Sequence, residues 1–292
     1  MKVYVIGASG LIGSSLCGNL LEKGYKTVGS YFKNKKKNLF KYDLSDTTYP
    51  KELLNVSKED TVFLMSAVSN PSWIYANQNS SFLINVEGTK RFVDFINDRG
   101  CRLIFMSSVE VFDGNKGNYC ENDKPNPLNV YGHMKKEVED YLVNHSQHFC
   151  IVRTGWNVGW NLDHRCVVTL TYETLMKPGA LMATDNNFSI TDVDDTSKCL
   201  AELVEHKFVK CCHIASEKSL LRFELADLVM QYSKHSEKMN YQKTTFDKIP
   251  YTEKRSRLNN LDNSYFRSLY NYSYKNPEDI VKRKVELLDD NF

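Results

Sequence analysis

A short apolar run, Val3–Ile6, breaks at once into Gly7-Ala8-Ser9-Gly10-Leu11-Ile12-Gly13, after which Ile12, Leu16 and Leu20 recur every four residues. A buried strand, a glycine turn and a one-faced helix thus follow one another directly. Each glycine answers a separate demand. Gly7 permits the tight strand-to-helix turn, Gly10 lets backbone approach a pyrophosphate with no Cβ in the way, and Gly13 lets helix and sheet pack closely. The helix N-terminus adds free N–H groups and the positive end of its dipole. Gly7, Ser9, Gly10, Leu11, Ile12 and Gly13 are therefore candidate dinucleotide-binding positions.

The alternation continues down the chain. Thr27–Tyr31, Thr61–Met65, Leu103–Met106 and Cys150–Val152 are short and nearly continuously apolar, as strands buried on both faces of a parallel sheet would be. Leu39–Tyr42 is a further short strand candidate. Helical patterns lie between, one with a stripe at Phe82, Val86, Phe92, Val93 and Ile96. The order predicts an α/β fold: a Rossmann-like doubly wound parallel sheet over residues 1–155, acting as a dinucleotide-binding domain. After Arg153 the loops lengthen, and helical patterns at Thr191–His206, Phe223–Ser233 and Asn276–Asp290 alternate with isolated strands. Residues 156–292 are expected to form a smaller C-terminal α/β lobe, mainly substrate-binding and interleaved with the first.

Composition narrows the classes. The 292 residues include 38 basic and 36 acidic side chains, a formal charge of +2, without the lopsided balance of a nucleic-acid binder. No run of about 18 uncharged apolar residues marks a membrane span. The apolar start is too short for a signal peptide, so a cytoplasmic, reducing setting is expected. The eight cysteines are scattered, with no CxxC pair or Cys/His cluster, and no metal site is expected. Neither nucleic acid nor membrane is expected as a partner.

Tyr131-Gly132-His133-Met134-Lys135 is a YxxxK pair on a predicted helix, and its spacing puts Tyr131 and Lys135 on one face. A neighbouring ammonium favours phenolate, so the Tyr131 pKa is expected to fall toward neutrality. Upstream, Ser107-Ser108 ends a buried strand, where a hydroxyl can hold a substrate carbonyl oxygen beside Tyr131. The second strand ends near Tyr31, which is not acidic, and Lys33, Lys35, Lys36 and Lys37 follow. An acidic residue there would bind a ribose 2′-OH. A basic loop can instead neutralise a 2′-phosphate, or it is simply solvated. NADP(H) is favoured over NAD(H) as the cofactor.

The GxxGxxG turn, the strand ending in Ser-Ser, the run Pro125-Asn126-Pro127-Leu128-Asn129-Val130 and the YxxxK pair together resemble the extended short-chain dehydrogenase/reductases. The resemblance implies that Ser108 and Tyr131 hold the carbonyl oxygen, with Tyr131 as acid/base, and that Lys135 binds the nicotinamide ribose and tunes Tyr131. It implies an adenine contact for Asp43-Leu44, where Asp43 also reads as a strand-end turn residue. Ser66, Ala67 and Ser107 fall along the implied cofactor channel, and Asn85-Val86-Glu87-Gly88-Thr89 fits the family pattern as structure.

The second half narrows the resemblance to the dTDP-4-dehydrorhamnose reductases. Val152–Gly159, Asp185–Thr191 with Asp195, His213-Ile214-Ala215, Leu221–Ala226 and Arg255–Asp262 are similar to successive segments of those enzymes. Trp156 is then implied against the sugar, or is a buried aromatic. Arg257 either pairs with a substrate diphosphate or forms a surface ion pair. One departure stands out: Ser108-Val109-Glu110 occupies the place of their usual Thr-Asp-Tyr, and sugar-nucleotide 4,6-dehydratases carry a glutamate base where Glu110 lies. Glu110 is open as a base, a sugar contact or a structural residue. The leading expectation is NADPH-dependent reduction of a 4-keto-6-deoxy sugar nucleotide. The alternatives are an epimerase or dehydratase that recycles its cofactor, and a non-catalytic dinucleotide-binding regulatory subunit. A homodimer is implied by the resemblance alone.

Overall fold

The computed structural model describes residues 1–162, 166–206 and 208–291. In the first half the strands are β1 (Lys2–Ile6), β2 (Lys26–Tyr31), β3 (Leu39–Lys41), β4 (Thr61–Leu64), β5 (Arg102–Met106) and β6 (Phe149–Thr154). In the second they are β7 (Trp156–Val158), β8 (Leu181–Ala183), β9 (Asn187–Asp192), β10 (Cys211–Ile214), β11 (Ser219–Leu221), β12 (Gln242–Thr244) and β13 (Leu258–Asn259). Seven of them form one sheet in the order β10-β6-β5-β4-β1-β2-β3, and every pairing in it is parallel. This is the doubly wound α/β architecture expected from the sequence.

The continuous apolar runs have a simple cause. Alternate residues of one strand feed two separate cores. Val3, Val5, Ile104, Val152 and Ile214 pack on one face with Leu16 and Leu20 of the helix Leu11–Glu22. Tyr4, Ile6, Leu103, Phe105 and Ile151 pack on the other with Phe92 and Ile96 of Thr89–Asn97 and Val138 of Val130–His145. Neither face can carry a polar residue at no cost.

From β1 the sheet runs to β2 and β3 on one side and to β4, β5, β6 and β10 on the other. That reversal opens a crevice at the carboxyl ends of β1 and β4. Gly7 sits there with φ +97°, and a Cβ on it would stand 2.8 Å from the Ser66 nitrogen. A Cβ on Gly13 would stand 2.3 Å from the Gly7 carbonyl oxygen. Both positions are closed to side chains.

In the second half β9 pairs with β7 and β13 in parallel and with β11 antiparallel, while β8 pairs with β12. Val168, Tyr172, Phe188, Leu225 and Val281 form the core of this lobe. The lobe is not set apart from the first sheet. β10 returns to pair with β6, and Ser197, on the helix Val193–Glu202, lies 2.7 Å (Oγ to Oγ) from Ser15 of Leu11–Glu22. That helix begins later than the expected Thr191, because Thr191 and Asp192 complete β9 and the Asp192 carboxylate accepts from the Asp194 N–H at 2.8 Å as its cap. The last helix, Pro277–Asp289, is capped by Asn276. Among the described residues no helix is long and apolar enough to cross a membrane, and no group of three or more His, Cys, Asp or Glu side chains is placed to hold a metal ion.

Candidate active site

β5 delivers Ser107 and Ser108 to the carboxyl edge of the sheet. The Ser108 hydroxyl accepts from the Glu110 N–H at 3.2 Å and caps the short turn Val109–Val111. The helix Val130–His145 is capped by Asn129, whose Oδ1 accepts from the Gly132 N–H at 2.8 Å. The amide nitrogen of the same Asn129 donates to Glu110 Oε2 at 2.5 Å. A Cβ on Gly132 would stand 2.1 Å from the Glu110 carbonyl oxygen, so helix and turn meet backbone on backbone. One cap and one glycine thus set Tyr131 beside the Ser108–Glu110 segment.

Ser107, Ser108, Glu110, Tyr131, Lys135 and Trp156 line one cavity of about 290 Å³, together with Ile12 and Ala67. Lys135 is 4% exposed; its Nζ donates to the Met106 carbonyl at 2.7 Å and lies 5.7 Å from the centre of the Tyr131 ring. The expected fall in the Tyr131 pKa is reversed. Burial and the nearby Glu110 carboxylate push the phenol well above its ordinary value. Burial also lowers Lys135 to about 8, against an opposing pull from Glu139. Desolvation of both groups outweighs the attraction that the YxxxK spacing suggests.

A second cavity, about 310 Å³, adjoins the first and shares Glu110, Trp156 and Arg255 with it. Arg222, Tyr251, Phe246 and Asn186 line its far part. The Arg222 guanidinium lies 4.5 Å above the Phe188 ring centre, and Arg255 Nε, Asn186 Oδ1 and Asn259 Oδ1 are buried polar atoms with no hydrogen-bond partner among the described residues. Glu110 stands at the junction. Asn129 and Asn259 donate to its two oxygens, and burial raises its pKa.

The glycine turn sits at the edge of the first cavity, which Ile12 lines. The helix Leu11–Glu22 has Gly10 as its N-cap and no side-chain cap, so its first N–H groups meet no side-chain acceptor of its own. Gly7, Gly10 and Gly13 leave this cradle free of Cβ atoms, and it fits a dinucleotide pyrophosphate. Ser9 and Leu11 lie in the same turn. Asn85, in a π-helical turn at Leu83–Gly88, holds the wall opposite: it exchanges two hydrogen bonds with the Val68 backbone, of 2.8 and 2.9 Å, just beyond Ser66-Ala67. Tyr31 ends β2, and the exposed loop carrying Lys33, Lys35, Lys36 and Lys37 follows. Among the described residues none of these lysines is in an ion pair.

Four of the expected site residues have partners or packing within the protein. Asp43 accepts from the Ser45 N–H at 2.9 Å in a turn after β3, and Leu44 is buried. The Ser107 hydroxyl, 2% exposed, donates to Glu139 at 2.5 Å. Arg257 lines neither cavity, and its half-exposed side chain pairs with Asp185 at 3.4 Å. Among the described residues the arginines that line the second cavity are Arg222 and Arg255. They lie in the segments Leu221–Ala226 and Arg255–Asp262, but nothing in a sequence says which arginine turns inward.

The sequence matches the family described as RmlD substrate binding domain over residues 1–288. Methionine adenosyltransferase 2 subunit beta of Xenopus tropicalis is 26% identical over 152 residues, which is 52% of this chain and 46% of that protein. The chain therefore spans about half the length of that relative. The "probable low-salt glycan biosynthesis reductase" of Haloferax volcanii is 25% identical over 239 residues, 79% of this chain and 80% of its own. Among solved structures, a dTDP-4-dehydrorhamnose reductase from Clostridium acetobutylicum superposes with a TM-score of 0.83 at 20% identity, covering 99% of both chains. The one from Bacillus anthracis, in complex with NADP, gives 0.78 at 20% identity over 97% of each chain. At these identities the structures speak for the fold.

Proposed function

The chain belongs to the RmlD substrate binding domain family, and from that premise we propose that it is an NADPH-dependent reductase of a 4-keto-6-deoxy sugar nucleotide. The carrying observation is that Ser108, Tyr131 and Lys135 line one cavity, joined through Glu110, Trp156 and Arg255 to a second that holds Arg222. A keto sugar spans the junction, with its carbonyl at Tyr131 and its nucleoside diphosphate beside the two arginines.

When bound, the nicotinamide cofactor supplies the hydride. Gly7, Ser9, Gly10, Leu11, Ile12 and Gly13 would hold its pyrophosphate, Tyr31 and Lys33 an adenosine 2′-phosphate, Asp43 and Leu44 the adenine, and Ser66, Ala67 and Ser107 the part that leads to the nicotinamide. Lys135 holds the ribose. Tyr131 gives the carbonyl oxygen its proton while the Ser108 hydroxyl orients that oxygen. A phenol kept protonated by burial is the form a reduction needs. Trp156 lies against the sugar, and the Glu110 carboxylate accepts from a sugar hydroxyl. Arg222 and Arg255 offer charge to the diphosphate in a desolvated site, where such pairing is strong.

A second reading, a dinucleotide-binding regulatory subunit, draws on the similarity to methionine adenosyltransferase 2 subunit beta. The retention of Ser108, Tyr131 and Lys135 around one cavity favours catalysis. The test follows NADPH absorbance, with NADH in parallel, against 4-keto-6-deoxy sugars carried on dTDP, UDP and GDP. Oxidation with one donor, lost in Tyr131→Phe, supports the reductase. Cofactor binding without turnover across the panel overturns it, and a further loss with Glu110→Gln in a coupled epimerase or dehydratase assay would point to that chemistry instead.

A further inference from the structure

Beneath the cavity runs a buried chain of polar groups that the proposed reaction does not use. Glu139 follows Lys135 by four residues on the same helix and is 3% exposed. Its Oε1 accepts from the Ser107 hydroxyl at 2.5 Å and from Arg153 Nε at 3.0 Å, and its Oε2 accepts from Arg153 Nη2 at 2.7 Å. Arg153, at the end of β6, is 5% exposed. Its Nη1 lies 3.4 Å from His213 Nε2. His213 Nδ1 faces the carbonyl oxygens of Tyr119 and Asp262 at 3.0 and 3.2 Å. Carbonyls only accept, so Nδ1 carries the proton and Nε2 accepts from Arg153. Glu139 is thus held by Ser107, just past β5, and by Arg153 of β6, which His213 of β10 contacts in turn.

We propose that Glu139, clamped by Arg153 and Ser107, is a positioning residue that keeps Lys135 an ammonium against the Met106 carbonyl. A buried ion pair is weak evidence of stabilisation, since desolvation consumes most of its attraction. This one is tied to the cavity: Ser107, which donates to Glu139, is bonded to Met106, whose carbonyl accepts from Lys135. The titratable and charged groups facing Lys135 are Tyr131 and Glu139 on its own helix and, through Glu139, Arg153 on β6; β5 presents the Met106 carbonyl, Ser107 and the Phe105 ring, whose centre is 4.6 Å from Nζ. Glu139 is the carboxylate among them that touches this network directly. The role deepens the proposed reductase reading, but the first test below needs no turnover.

The test labels lysine side chains with carbon-13 at the ε position and follows Lys135, assigned by its loss in Lys135→Met, as pH is varied. In Glu139→Gln the Lys135 midpoint should fall by about one pH unit, a tenfold loss of ammonium at a given alkaline pH. A merely structural role predicts the opposite sign: loosened packing would admit water and raise the midpoint. An unchanged or raised midpoint in a folded variant overturns the proposal. Because Glu139→Gln leaves the Arg153 charge unpaired, the double variant Glu139→Gln/Arg153→Gln is measured beside it, and there too the midpoint should fall. Glu139→Asp, which keeps the carboxylate, should recover part of the shift. If the wild type turns over keto sugars, the alkaline limb of kcat moves the same way with KM for the sugar unchanged. If it does not, the reductase reading fails while the midpoint still decides the role of Glu139.

Discussion

Gly132 faces the carbonyl oxygen of Glu110 so closely that a β-carbon on it would stand 2.1 Å from that oxygen. Both partners are backbone, and neither can swing aside. Gly132→Ala must therefore push the first turn of the helix Val130–His145 off the Val109–Val111 turn and carry Tyr131 away from Ser108. Expected is a loss of roughly 100-fold in kcat and about 1–3 kcal/mol of stability, read by steady-state kinetics and urea unfolding. A variant with wild-type kcat would show that the site tolerates the displacement.

Removing the phenol hydroxyl removes the proton donor and little else. Tyr131→Phe should lower turnover by about 10²–10⁴-fold, with NADPH affinity, measured by fluorescence titration, unchanged. Turnover within tenfold of wild type would place the acid on another residue.

The lysine loop after β2 should decide between cofactors. Replacing Lys33, Lys35, Lys36 and Lys37 by serine is expected to raise KM for NADPH at least about tenfold and leave NADH nearly unaffected, because only the former carries a 2′-phosphate for charge-assisted bonds. Equal effects on both cofactors would assign the loop no part in the choice.

Arg222→Met and Arg255→Met remove guanidiniums from the second cavity. Each should raise KM for the sugar nucleotide by about tenfold or more, weaken inhibition by the free nucleoside diphosphate by a similar factor, and change kcat less. A fall in kcat with KM unchanged would instead put the residue in the chemical step.

Acid should find a buried weak point. Burial and the neighbouring Arg153 lower the His213 pKa from 6.5 to about 4. Above pH 6.5 the imidazole is neutral in both folded and unfolded chains, and its contribution is fully present. Below that the unfolded chain takes up a proton the folded one refuses, so roughly 3 kcal/mol is lost as pH falls from 6.5 to 4. Urea unfolding across that range should fall more steeply for the wild type than for His213→Asn. Parallel curves would mean that His213 is not held neutral.

The legibility of this molecule follows the range of its interactions. The glycine turn, the buried strands and the capped helices are local, and Val3–Ile6 or Asn276 announce them by residue type alone. The parallel sheet follows from them, because strands apolar on both sides have few other homes. What the sequence does not disclose is long-range. Thr191 and Asp192 look helical until Asn157 and Val158 of β7 pair with them. Arg257 is the arginine the sequence points to, whereas Arg255 and Arg222 are the ones whose long-range packing brings them to the second cavity. The Tyr131 shift fails for the same reason: a neighbouring lysine is visible four residues away, whereas the desolvation that overrides it comes from the whole cavity.

The return of β10 to the first sheet has a consequence for anyone who would divide this chain. β6 is buried along all six of its residues, and one of its two hydrogen-bonding edges is covered by a strand that arrives more than fifty residues later. A fragment ending near residue 155 would leave Phe149–Thr154 as a bare apolar edge, a template for sheet-to-sheet association between copies. Residues 1–155 and 156–292 read as two stretches of sequence, yet they share one sheet, and a cut between them would take a strand from it.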